Sequence, residues 1–388
     1  MEAAEDLAMT DPRPTVDGCT TIPALFWRRV KEWGDRVALR EKDLGIWQPI
    51  TWAEYGERAR AAGLGMVALG LQPGDVVSIL AENIPEWLYA DLGILGAGGV
   101  SNGIYPTDSP AQVEYLLNDS SSRFLVVENE EQLDKALEAR ARCPGLQRII
   151  VEDMEGLREF QDPMVMSFAE LLELGRARHL AHPAEWMERL QRPRSEDLAI
   201  LIYTSGTTGA SKGAMLSHGN VLFMMSSINV VLPAGPDDRG LSFLPLCHIA
   251  ERTFTTTLPL KTGLVVHFAE APDTVPQNLR EVEPTVFFAV PRLWEKFYSS
   301  ITIRMRDATW FGKWAYHAAL AVGRRVAECQ LASRRPGFGL AAAFRMADLV
   351  VLGNIRRMLG LSKCRILLSG GAPISPDLIR WFLALGLD

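Results

Sequence analysis

Short apolar runs recur along the chain with helical patterns between them. Val76–Leu80, Phe124–Val127, Ile149–Val151, Leu198–Ile202, Leu241–Leu244, Val265–Phe268, Val286–Val290 and Arg365–Leu368 read as strands. Each is only a few residues long, the length expected of a strand buried on both faces. Helices are predicted over residues 21–34, from Thr51 to near Gly70, and over 85–97, 112–117, 131–140, 220–230 and 376–384. Their starts carry chemical signals: Thr21 before Pro23, the capping box Thr51-Trp52-Ala53-Glu54, and Pro85. Strands alternating with helices imply parallel layers, so the predicted class is α/β.

Two stretches break this rhythm. Residues 161–196 are polar, contain Pro163, Pro183 and Pro193, and read as a connector. They divide the chain into a β/α subdomain with its connector over 1–195 and a second subdomain over 196–388. Residues 292–358 carry long helical patterns, interrupted at Arg334–Gly339, and form a helical insert over about 298–360. The run closest to membrane length, Trp87–Val100, is interrupted by Asp91 and glycines, so no transmembrane helix is predicted.

Charge adds one asymmetry. The 388 residues carry a net charge of −7, which argues against a general nucleic-acid binder. Residues 300–365 nevertheless hold twelve Lys/Arg against three acids, with Trp310, Phe311, Trp314, Tyr316, Phe338 and Phe344 among them. The plainer reading is a solvated helical insert with an ordinary core face. The other is peripheral contact with an anionic membrane surface. Five scattered cysteines form no C-x-x-C pair and suggest a reducing cytoplasm.

The candidate chemistry centres on Tyr203-Thr204-Ser205-Gly206-Thr207-Thr208-Gly209-Ala210-Ser211-Lys212-Gly213, directly after an apolar strand. Glycines let backbone approach a ligand, hydroxyls and N–H groups donate to phosphate oxygens, and a lysine adds a mobile charge. Ala210 and Ser211 stand between Gly209 and Lys212, so the Walker A spacing fails. Residue 204 is threonine, so the dinucleotide fingerprint fails as well.

The order of this segment, with Ser217-His218-Gly219-Asn220 after it, resembles the phosphate-binding signature of the adenylate-forming superfamily. Three further segments match in order: Leu244–Arg252 (LPLCHIAER), Val290–Lys296 (VPRLWEK) and Ser369–Pro373 (SGGAP). Together they look like the long-chain fatty acyl-CoA synthetases, from about residue 20 to the end.

The resemblance implies the N-terminal domain of an adenylate-forming enzyme, with ATP, Mg²⁺ and CoA as cofactor or co-substrates and a long-chain fatty acid as substrate. It implies that Thr204, Ser205, Gly206, Thr207, Thr208, Gly209 and Lys212 hold phosphate, with Thr204 also at the metal. It puts His248 beside the acyl carboxylate and α-phosphate, and Gly370, Gly371, Ala372 and Pro373 beside the adenine and acyl tunnel. The residues alone also allow a loop-shaping role for His248, a helix cap for His218 and an ordinary turn at 370–373. The family's Tyr-Gly-x-Thr-Glu and Thr-Gly-Asp segments do not occur among the 388 residues, nor does the small C-terminal domain. The expectation is an N-terminal portion of a longer enzyme, inactive by itself. A ligase with a non-CoA acceptor and a non-catalytic binding module are the rival readings.

Overall fold

The computed structural model describes residues 14–204 and 210–387. The chain forms two compact units, one of residues 1–233 with 244–263 and one of 234–243 with 264–388.

The first unit contains nine strands among its described residues: β1 (Val37–Asp43), β2 (Ile46–Thr51), β3 (Val76–Leu80), β4 (Val100–Ile104), β5 (Ser122–Val127), β6 (Arg148–Val151), β7 (Val165–Ser167), β8 (Leu198–Thr204) and β9 (Lys212–Ser217). β1 and β2 form an antiparallel hairpin. The other seven form one sheet in the order β7-β6-β5-β3-β4-β8-β9. It is parallel except for β9, which folds back antiparallel on β8. Ile79, Phe124, Val126, Ile149 and Ile150 are fully buried in it, as an internal parallel sheet requires.

The expected division at 195 is corrected here. β8 and β9 complete the first unit's sheet, because β8 pairs with β4 through Ser101↔Ile200, Asn102↔Leu201 and Gly103↔Ile202. The polar connector is corrected too. It holds edge strand β7, helix Phe168–Ala181, which opens on a Ser167/Glu170 capping box, and helix Glu185–Leu190. These helices bury few apolar side chains, among them Phe168, Leu171 and Trp186, so their polar composition concealed them. Helices Trp52–Ala68 and Pro85–Ala97 match the expectation, the first with its predicted capping box. Helix Pro85–Ala97 is buried on every side, which explains its near-continuous apolar sequence.

The second unit contains β10 (Arg239–Ser242), β11 (Val265–Phe268), β12 (Val286–Ala289) and β13 (Ile366–Ser369). β10 pairs with β11 and β12 with β13, both parallel. Buried Asp238 ties the start of this framework together. It accepts from Thr285 Oγ1 at 2.7 Å and from Arg365 Nε at 2.9 Å. The core is aromatic: Phe287 stacks on Phe243 at 5.5 Å and meets Trp294 edge-on at 5.5 Å, while Trp294 meets Phe382 at 5.0 Å.

The insert consists of helices Pro291–Arg306 and Trp310–Leu331 and a continuous helix Phe338–Leu359. The last is, among the described residues, long and apolar enough by length and composition to cross a membrane. The sequence expectation named a different nearest candidate, Trp87–Val100, most of which lies in the core helix Pro85–Ala97.

Candidate adenylation site

The two flanks of the glycine-rich segment are the facing ends of the β8–β9 hairpin. Thr204 is the last residue of β8, Lys212 the first of β9, and the two are cross-strand partners. Directly opposed residues of an antiparallel pair bring their side chains to one place, so a hydroxyl and an ammonium face the same ligand space. Ser205, Gly206, Thr207, Thr208 and Gly209 lie outside the described residues.

Two tyrosines brace the hairpin end. Tyr203 donates to Asp119 Oδ2 at 2.6 Å, and its ring lies where a side chain at Gly213 would need room. Tyr115 donates to the Ser211 carbonyl at 2.8 Å, holding the segment just before Lys212.

His248 reaches the same end of the sheet by a different route. Asn83, just past β3, grips the segment that precedes it. The Asn83 amide donates to the Leu244 carbonyl at 2.7 Å, and Leu246 N–H donates back to Asn83 Oδ1 at 3.2 Å. Cys247 then lies flat on Gly103 of β4. A Cβ on Gly103 would stand 2.6 Å from the Cys247 Cα, so glycine is required there. Gly103 pairs with Ile202, two residues before Thr204. The segment leading to His248 and the strand leading to Thr204 therefore meet at the C-terminal edge of the sheet, where open α/β sheets bind ligands.

His248 is exposed and caps the short helix Ile249–Arg252, its Nδ1 accepting the Ala250 N–H at 3.2 Å. A neutral imidazole that accepts at Nδ1 carries its proton on Nε2. The outward nitrogen is thus a donor, suited to a carboxylate or phosphate oxygen. Neighbouring Cys247 is buried, and burial pushes its thiol well above the usual range. Burial pushes Tyr105 up to about 12, with Cys247 beside it. Neither side chain is poised as a nucleophile or base.

Two other motif residues have core roles. His218 is 2% exposed, and its Nδ1 accepts the Ile22 N–H at 3.4 Å. The cap of helix His218–Val231 is Ser217, in a capping box with Asn220. Arg252 is fully buried, pairs with Asp91 of helix Pro85–Ala97, and lies 5.1 Å over the Trp87 ring. It locks the helix that His248 caps to the centre of the unit.

In the second unit, the Ser369–Pro373 and Val290–Lys296 segments leave the sheet side by side, since Ala289 pairs with Ser369. Gly371 has φ +80°, the left-handed region that glycine supplies without strain. A Cβ on Gly370 would come within 3.0 Å of the Phe288 ring. Gly371, Ala372 and Pro373 are exposed. Phe287 and Trp294 are buried in the core, whereas Phe288 lines the turn. A cleft of about 600 Å³ in this unit, lined in part by Glu295, Tyr298, Arg324 and Trp381, contains none of the motif residues at 370–373.

The sequence reading missed Asn83, Gly103 and Tyr115, and it gave Tyr203 no role beyond opening the glycine-rich segment. A signal existed for the first: Asn83 stands between the end of an apolar strand and a Pro-initiated helix, the edge where parallel sheets place functional side chains.

The model of the AMP-binding enzyme family matches residues 26–388. The chain belongs to the AMP-binding enzyme family. It is 34% identical over 376 residues to the long-chain-fatty-acid–CoA ligase ACSBG2 of Rattus norvegicus, covering 95% of this chain and 55% of the relative. It is 30% identical to ACSBG2 of Homo sapiens, covering 95% of this chain and 54% of the relative. The chain thus spans about half the length of the curated relatives it matches. Among solved structures, the anthranilate CoA ligase AuaEII in complex with anthranoyl-AMP superposes with a TM-score of 0.67 at 21% identity, over 95% of this chain and 58% of that one. The N-terminal domain of FACL13 from Mycobacterium tuberculosis superposes with a TM-score of 0.62 at 19% identity, over 95% of this chain and 74% of that one. These likenesses show the adenylate-forming N-terminal fold.

Proposed function

We propose that this chain is the nucleotide- and acyl-binding portion of an AMP-forming long-chain fatty-acid–CoA ligase. The observation that carries the reading is the meeting of the Thr204/Lys212 hairpin end and the His248 segment at one sheet edge. The activity for which the relatives are named supports it.

In the first step the fatty-acid carboxylate oxygen attacks the α-phosphorus of ATP. The bond from the α-phosphorus to the α,β-bridging oxygen breaks, and pyrophosphate leaves with that electron pair. Such a reaction asks the protein for positioning and charge neutralisation more than for covalent help. Thr204, Ser205, Thr207, Thr208 and Lys212 hold the leaving β- and γ-phosphates, with Gly206 and Gly209 allowing close backbone approach. His248 donates from Nε2 to an oxygen at the reacting centre. Gly370, Gly371, Ala372 and Pro373 form a flat wall against the adenine. In the second step the CoA thiolate attacks the acyl carbonyl, AMP leaves, and the thioester forms.

Mg²⁺ is implied by the family, and a hydroxyl oxygen such as that of Thr204 is a donor that suits it. Among the described residues no group of three or more His, Cys, Asp or Glu could hold a metal, so phosphate oxygens and water would complete its shell. Bound there, it supplies neutralisation of phosphate charge.

The proposal includes a cytoplasmic setting, which the five free cysteines support, and peripheral contact with anionic membrane through residues 300–365. It also includes slow or no turnover by these 388 residues alone, since they contain neither a Tyr-Gly-x-Thr-Glu nor a Thr-Gly-Asp segment. The test is product analysis of the full-length enzyme with ATP, Mg²⁺, oleate and CoA. Oleoyl-CoA and AMP appearing together, with AMP release dependent on CoA, is the expected result. Adenylate that accumulates and reacts with hydroxylamine but never with CoA would assign a different acceptor.

A further inference from the structure

Helix Phe338–Leu359 combines two properties that a core helix does not. It is apolar enough to enter a membrane, yet only 17% of its most apolar stretch is buried. The helix Pro85–Ala97, of similar character, is buried throughout. The exposed face of Phe338–Leu359 forms a stripe at helical spacing: Phe338 is 93% exposed, Met346 62%, Leu349 71% and Val350 59%. The opposite face is anchored, because Leu352, Ile355 and Leu359 are buried.

Charge identifies what covers the stripe. Between residues 332 and 365 there are seven Lys/Arg and one acid, Asp348, which pairs with Arg356 at 2.6 Å. Arg334, Arg335, Arg345 and Arg357 are exposed before, within and after the apolar stripe. Apolar side chains bordered by arginine suit a surface that offers phosphate headgroups above acyl chains. A spanning orientation is disfavoured, because Arg345 and Asp348 sit mid-helix and the anchored face stays in protein.

We propose that Phe338–Leu359 is an interfacial helix, which lies in the plane of an anionic bilayer with Phe338, Met346, Leu349 and Val350 in the acyl boundary. This rests on the peripheral-contact reading above and names the element that makes the contact. Long-chain fatty acids partition into bilayers, so the helix would hold the enzyme where its substrate is concentrated.

The test is co-sedimentation of the full 388-residue chain with vesicles of phosphatidylcholine alone and with vesicles containing phosphatidylserine. Binding to the anionic vesicles, lowered by salt, is expected. The double variant Leu349→Glu/Val350→Glu should lose that binding by roughly tenfold or more, and Arg334→Glu/Arg335→Glu should weaken it and reduce its salt dependence. Unchanged circular dichroism of both variants would show that the fold persists. Wild-type binding to anionic vesicles that the Leu349/Val350 variant retains would overturn the assignment to this helix while leaving membrane contact standing. Failure of the wild type on both vesicle types would overturn both. Lipid-free dimerisation abolished by the same double variant would give the stripe to a second copy and also overturn the proposal.

Discussion

Thr204 and Lys212 are cross-strand partners at the open end of the β8–β9 hairpin, so one antiparallel register brings a hydroxyl and an ammonium to the same place. Replacing a preorganised charge that meets a phosphate typically costs about 2–4 kcal/mol of transition-state stabilisation. Lys212→Ala in the full-length enzyme should therefore lower the adenylation rate by roughly a hundredfold, with Lys212→Arg recovering part of it. Lys212 is exposed, so the melting temperature should stay unchanged. An equal loss of stability and activity would make the residue structural.

Asn83 uses both ends of its amide on the segment before His248. Asn83→Ala leaves a carbonyl and an N–H without partners, at about 1–3 kcal/mol for each that stays buried. Asn83→Asp keeps the acceptor for Leu246 N–H and loses the donor to Leu244. We expect both to lower adenylation, Ala more than Asp, with pyrophosphate exchange and chemical denaturation as the readouts. Full activity in Asn83→Ala would remove Asn83 from the positioning of His248.

Gly103→Ala places a methyl 2.6 Å from the Cys247 Cα, where backbone must move. Overpacking of this kind costs about 1–3 kcal/mol. The shift passes to His248, the next residue, so activity should fall further than stability explains. Gly235→Ala, which meets nothing within 4 Å, serves as the neutral control.

Asp91 and Arg252 form a buried ion pair inside the first unit. Removing one partner of such a pair costs about 3–5 kcal/mol, because the other charge stays buried. Asp91→Ala should lower the urea midpoint sharply, whereas the paired change Asp91→Leu/Arg252→Met should recover much of the loss. A mild effect of Asp91→Ala would contradict the buried pairing.

His218 gives the fold a pH dependence. Burial lowers its pKa to about 4, against about 6.5 in an unfolded chain. Between those values the unfolded chain binds a proton that the folded chain does not. Stability therefore falls on acidification through this window, by about 3 kcal/mol in all. His218→Gln can still accept the Ile22 N–H, so its stability should vary less with pH over that range. Identical pH slopes in both proteins would contradict the assignment.

Much of the fold was legible because buried parallel strands and capped helices leave local signatures. Pro85–Ala97 and Pro376–Ala384 begin with proline and end where expected. Strand Lys212–Ser217 was not legible. It lies at the sheet edge with half its residues exposed, so its sequence KGAMLS shows no buried-strand pattern. The hairpin Val37–Thr51 was hidden because it buries only Ala38, Leu39 and Ile50, with charged residues between them. The apolar stripe of Phe338–Leu359 could not be assigned a direction from sequence, since apolar residues occupy several faces of that helix and only packing decides which is covered. Within the candidate site, the motif segments were readable. Gly103 was not, and for Asn83 only its place after an apolar strand was, because each acts on residues more than a hundred positions away.

The central claim is adenylation of a long-chain carboxylate on the Thr204/Lys212 hairpin. Exchange of radiolabelled pyrophosphate into ATP by the full-length enzyme tests it most directly. The account predicts exchange that requires a long-chain fatty acid, needs no CoA, and is nearly abolished in Lys212→Ala. Exchange independent of the fatty acid, or ADP as the nucleotide product, would contradict it.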